Sequence, residues 1–131
     1  MKHIFRAFLF LPLISILFLQ SCDDATPSNW QWETITTVGE PTARHEAGLV
    51  AYKDKLYLMG GRRINPTSVF DPVTNTWTEK SATPIELHHF QPVVYKDAIY
   101  LVGAMTGQWP NETPVDRIIM YYPERDEYVY G

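Results

Sequence analysis

His45-Glu46-Ala47-Gly48-Leu49-Val50-Ala51-Tyr52-Lys53-Asp54-Lys55-Leu56-Tyr57-Leu58-Met59-Gly60 is written a second time, 43 residues on. The second copy reads His88-His89-Phe90-Gln91-Pro92-Val93-Val94-Tyr95-Lys96-Asp97-Ala98-Ile99-Tyr100-Leu101-Val102-Gly103. His, Val, Tyr, Lys, Asp, Tyr, Leu and Gly recur in register, with Leu56/Ile99 and Met59/Val102 conservative. Phe70-Asp71-Pro72-Val73-Thr74-Asn75-Thr76-Trp77 then aligns with Tyr121-Tyr122-Pro123-Glu124-Arg125-Asp126-Glu127-Tyr128 at an offset of 51, so the second copy carries eight extra residues. They fall in Ala104–Val115, rich in Gly, Pro and Asn, where a loop tolerates insertion.

Each copy reads as four short strands. Two apolar runs flank a Lys-Asp turn, in which Asp tolerates the left-handed conformation. They are Ala47–Tyr52 with Leu56–Met59, and Phe90–Tyr95 with Ile99–Val102. The second run of each pair is apolar throughout, as expected of a strand buried on both faces. A third strand covers Ser68–Phe70 or Ile118–Tyr122, and a fourth carries Trp77 or Tyr128. Four antiparallel strands repeating every ~40–50 residues describe the blade of a β-propeller.

Tyr57-Leu58-Met59-Gly60-Gly61, Phe70-Asp71-Pro72 and Asn75-Thr76-Trp77 resemble the Kelch repeat, a hydrophobic run ending in di-glycine followed by Tyr-Asp-Pro-like and Trp positions. The second copy departs from it at Ala104, in place of the second glycine, and at Tyr128, in place of the tryptophan. The expected fold is therefore all-β, a partial Kelch-type propeller of two four-stranded antiparallel blades, with repeats at about 42–85 and 86–131. Trp30-Gln31-Trp32-Glu33-Thr34 resembles a fourth strand and is expected as an additional N-terminal strand. The aromatic of the last strand is expected to pack between neighbouring blades. Closed propellers use about 4–8 blades, so missing blades, from a longer chain or from other copies, are expected partners.

Ahead of the repeats, Lys2, His3 and Arg6 precede a thirteen-residue apolar run, Ala7–Leu19. That length suits a secretory signal, ~7–15 residues, and falls short of the ~20 that span a bilayer. Leu19-Gln20-Ser21-Cys22 resembles the lipobox of bacterial lipoproteins. The resemblance implies a signal peptide at 1–21, lipidation of Cys22, a tether at 22–29 and the propeller from 30 to 131. The location implied is the cell envelope outside the cytoplasm, with the lipid bilayer as a partner; acyl chains anchor at about 0.8 kcal/mol per buried methylene.

The 131 residues carry 11 basic and 15 acidic side chains, a formal charge of −4, and one cysteine. Such a balance gives no support to nucleic acid as a partner, and one cysteine excludes a disulfide framework. In Kelch propellers the segment before a blade's first strand approaches the ligand-bearing cavity, which singles out Arg44, His45, His88 and His89. Arg44 suits a carboxylate or sulfate. The histidines suit sugar hydroxyls or a peptide carboxylate, although the recurrence of His45 and His88 favours structural roles for both. Trp109, in the inserted loop, suits carbohydrate stacking, and Arg62-Arg63 reads as a solvated loop. No metal or other cofactor is expected, because neighbours such as His88 and His89 project to opposite faces of a strand. The leading functional expectation is a binding module for glycan or protein. The alternative is a fragment of an extracytoplasmic sugar-modifying enzyme of the sialic-acid epimerase type.

Overall fold

The computed structural model describes residues 31–131. The signal segment, Cys22, the tether and Trp30 lie outside the described residues. Ile35–Gly131 forms a compact unit with no helix among the described residues.

The first sheet has the order β1 (Ala47–Tyr52), β2 (Lys55–Gly60), β3 (Pro66–Asp71) and β4 (Thr76–Ala82). In the second, β5 (Gln91–Tyr95), β6 (Ala98–Val102), β9 (Ile119–Tyr122) and β10 (Glu127–Tyr130) repeat that order. The inserted residues form a two-stranded hairpin of their own, β7 (Met105–Thr106) and β8 (Thr113–Pro114), which the sequence pattern did not disclose. All pairings within the sheets are antiparallel. The expected N-terminal strand is not formed over its described part: residues 31–34 carry no strand and Trp32 is fully exposed. Each sheet already holds four strands of its own, so neither offers a three-stranded edge to complete.

The repeat extends to the backbone. Positive φ recurs at Glu46 and His89 (59° and 53°), at Lys53 and Lys96 (44° and 55°), at Gly60 and Gly103 (64° and 71°), and at Asn75 and Asp126 (52° and 50°). At Lys53-Asp54 both turn residues are left-handed, the geometry that suits the twist of a two-residue hairpin.

Cross-strand register explains the core. Val50, Tyr57 and Val69 stand in one row across the first sheet. Val94, Ile99, Tyr121 and Tyr128 stand in one row across the second. Apart from Val94, which is exposed, these rows make a single apolar cluster between the sheets with Met59, Leu101 and Ile119, each large side chain contributing about 1.5–3 kcal/mol of burial. Tyr121 lies 6.3 Å from Tyr57 and 4.6 Å from Tyr128, ring to ring. Tyr128 thus packs between the blades as expected. Trp77, its counterpart, lies on the far face of the first sheet against Phe70, 5.0 Å away, where no neighbouring blade stands among the described residues.

The other face of the second sheet is bare. Its row is Val93, Tyr100, Met120 and Val129, flanked by Tyr95 and Val102; Val93 is 50% exposed and Tyr95 58%. Apart from Val129, these positions are the repeat equivalents of Val50, Tyr57, Val69, Tyr52 and Met59, which the second sheet covers in the first. The expectation of burial on both faces therefore holds for neither apolar second strand in full; in β6, Val102 is 45% exposed.

Burial pushes the Tyr121 and Tyr128 phenols well above the ordinary value of 10.0, and for Tyr121 the nearby Asp126 carboxylate adds to the effect. The sign follows: above pH ~10 the unfolded chain loses these protons while the folded chain keeps them, so stability falls as pH rises. Alkaline titration followed by circular dichroism and tyrosinate absorbance should show these two phenols ionising only with unfolding. Independent ionisation before the transition would contradict the assignment.

Candidate functional site

The site grows from the ends of the inner strands. Asn65 closes the loop after β2 by donating to the Arg62 carbonyl at 2.8 Å and the Gly60 carbonyl at 3.3 Å. This folds Arg62 back over the inserted loop. Arg62 Nη1 donates to the Gly107 carbonyl at 2.9 Å, Nη2 donates to Glu112, and Nε lies 2.5 Å from Glu46 Oε2. Arg62 is therefore no solvated loop residue, contrary to the sequence expectation. Its side chain is 15% exposed and joins both blades. The reason is the insertion, which brings Glu112 and Gly107 within its reach. Arg62, paired with Glu46 at 2.5 Å, in turn holds the Glu46 carboxyl below its ordinary range.

Beside this ion network lies an open cavity of about 350 Å³ lined by His45, Glu46, Arg62, Arg63, Gln108 and Trp109, within the ~300–1,000 Å³ typical of small-ligand sites. The hairpin bearing Trp109 is held by Val115 N–H to the Ala104 carbonyl at 2.8 Å, and its tip by Asn111 N–H to the Gln108 carbonyl at 2.7 Å. Trp109 is 79% exposed at this tip. An indole face beside an imidazole, an amide and a guanidinium presents apolar and polar contacts together.

The residues singled out in the sequence separate here. His45 and Trp109 line the cavity, and the His45 side chain is 73% exposed. Arg44 does not reach it. Its guanidinium donates to the carbonyls of Thr42, Pro66 and Gly60, and to Ser68 Oγ at 2.8 Å, so it ties the first sheet together instead of facing a ligand. His88 is fully buried, with Nε2 3.1 Å from the Gly107 carbonyl. His89 does not point away from it. The two Nδ1 atoms are 2.7 Å apart, because the left-handed backbone at His89, φ 53°, breaks the strand alternation that would have separated the rings. Glu46, Arg62 and Gln108 were missed. The one available signal was the alignment of Glu46 with His89.

The chain is similar in sequence to two curated relatives and in fold to one solved structure. The chain is 27% identical over 110 residues to Kelch repeat protein M-T8 of Myxoma virus (strain Lausanne), covering 79% of this chain and 20% of that protein. It is 31% identical over 88 residues to spermatocyte protein spe-26 of Caenorhabditis elegans, covering 60% and 15%. The structure of YjhT superposes with a TM-score of 0.61 at 14% identity, covering 73% of this chain and 30% of that one. The fold is a partial Kelch-type propeller. These Kelch-type blades span a fifth or less of the curated relatives named here. No family model matches the chain.

Proposed function

We propose that this chain is a glycan-binding Kelch-type module of the cell envelope, anchored through a lipid on Cys22, whose bare sheet faces are completed by further blades. The observation that carries the binding role is Trp109, 79% exposed at the rim of a cavity that also presents His45, Arg63 and Gln108. An exposed indole stacks on the apolar face of a sugar ring, while the polar neighbours take its hydroxyls. Arg63, exposed beside the cavity, favours acidic sugars. The resemblance of Leu19–Cys22 to a lipobox supports the anchor, and the apolar row Val93–Tyr100–Met120–Val129 supports a blade-like partner on the second sheet.

Glycan-array screening followed by calorimetry tests the reading. Trp109→Ala should weaken glycan binding about 10–100-fold, the loss of roughly 1.5–3 kcal/mol of aromatic burial. Trp109→Phe should retain part of it. Array silence, or full affinity in Trp109→Ala, would overturn the glycan assignment. The anchor is checked separately in bacterial cells fed a labelled fatty acid. Label should enter the wild-type chain and be abolished in Cys22→Ser, and equal labelling of both would refute lipidation at that residue.

A further inference from the structure

The geometry points to a divalent transition-metal site formed by Glu46 Oε2, His88 Nδ1 and His89 Nδ1 at the floor of the interblade site, with Glu112 within reach as a fourth donor. It is independent of the glycan reading. One donor atom from each of the four residues lies within 4.8 Å of the other three. The three named distances are 2.7 Å between the imidazole nitrogens, 3.6 Å from His89 to Glu46 and 3.8 Å from His88 to Glu46. Tetrahedral zinc with bonds of ~2.0–2.2 Å sets its ligand atoms about 3.4 Å apart, and these separations bracket that value.

Protonation supports the same reading. His88 Nε2 lies 3.1 Å from the Gly107 carbonyl, which only accepts, and 3.4 Å from Arg62 Nη1, which only donates. With the hydrogen on Nε2, toward the shorter contact, His88 Nδ1 accepts from His89 Nδ1 in the metal-free state, and His89 gives up that proton on binding. A metal-binding histidine characteristically gives its other N–H to a carbonyl or carboxylate. Here Gly107 O takes that place, with Glu86 Oε1 3.6 Å from the same nitrogen. Glu46 Oε2 is buried and pairs with Arg62 Nε at 2.5 Å on one side, while the same oxygen lies 3.6 and 3.8 Å from the two imidazole nitrogens, where its second lone pair would coordinate. Two imidazoles with carboxylate suit zinc among the divalent ions. The repeat builds the cluster: Glu46 and His89 occupy equivalent left-handed positions, one on each blade, and both side chains meet at the fully buried His88. Arg62, which pairs with Glu46 and Glu112, supplies the competing charge that metal binding would have to displace in part.

The test uses the full chain carrying Cys22→Ser, so that its one thiol is absent, stripped with chelator and titrated with zinc chloride alone. One equivalent should bind, raise the melting temperature and be removed by chelator. His89→Gln, at a residue whose side chain is 45% exposed, should fold normally and lose at least 10–100-fold in zinc affinity, whereas Asp97→Ala, in the exposed β5–β6 turn, should bind as the parent does. Cobalt should give a visible absorption band that His89→Gln lacks. No stoichiometric binding, unchanged affinity in His89→Gln, or an equal loss in Asp97→Ala would each overturn the site.

Discussion

Tyr121→Ala should cost about 3–5 kcal/mol of unfolding free energy, the range for deleting a large buried aromatic. A domain of this size is held by roughly 5–15 kcal/mol, so the variant should melt ~10–30 °C lower or fail to fold. The side chain is fully buried between the sheets, touches both Tyr57 and Tyr128, and donates its hydroxyl to Asp126 at 2.7 Å. Asp126 also accepts from the Ser81 N–H at 2.9 Å, which extends the loss to the tie between β4 and the second sheet. Tyr121→Phe should separate the contributions: it keeps the packing and gives up one hydrogen bond to a charged group, roughly 1.5–3 kcal/mol. A matched pair sharpens the point. Tyr57 and Tyr100 occupy the same repeat position, yet Tyr57 is 8% exposed in the interblade core while Tyr100 stands on the bare face. Alanine at Tyr57 should cost about 3 kcal/mol and at Tyr100 under ~1 kcal/mol. Denaturant melts of the four variants decide it; equal losses at Tyr57 and Tyr100 would contradict the interblade assignment.

Gly60→Ala should cost about 3 kcal/mol or more, against about 1–2 kcal/mol for Gly103→Ala. Both residues have positive φ, 64° and 71°, and pay the same conformational penalty for a Cβ. Only Gly60 also meets its neighbours. A Cβ there would lie 2.5 Å from the Leu87 carbonyl oxygen and 2.6 Å from the Phe90 ring, whereas one on Gly103 meets nothing within 4 Å. Since Gly61 N–H donates to that same Leu87 carbonyl at 2.8 Å, the clash cannot relax without parting the blades. Thermal melts of the two variants give the comparison directly, and similar losses would mean that φ alone governs these positions.

The strands were legible because alternation, turn chemistry and repetition agree at every level. Lys-Asp between apolar runs, and Asp-Pro before Asn-Thr, mark the turns of the first copy locally. The site was legible only in part. His45 and Trp109, singled out from their place in the repeat and its insertion, line one cavity, whereas Arg44, read as a ligand residue, binds carbonyls of its own sheet. The divergence expected of His88 and His89 assumed an unbroken strand, and a single left-handed residue reversed it.

The sequence by itself determined two copies of a four-stranded unit, because period-two burial and turn residues act over a few positions. Only the tertiary structure decided which copy of each repeated residue is covered, which glycine is crowded, and that Glu46 meets His88 and His89. Those outcomes depend on the neighbouring blade, whose approach no local pattern encodes.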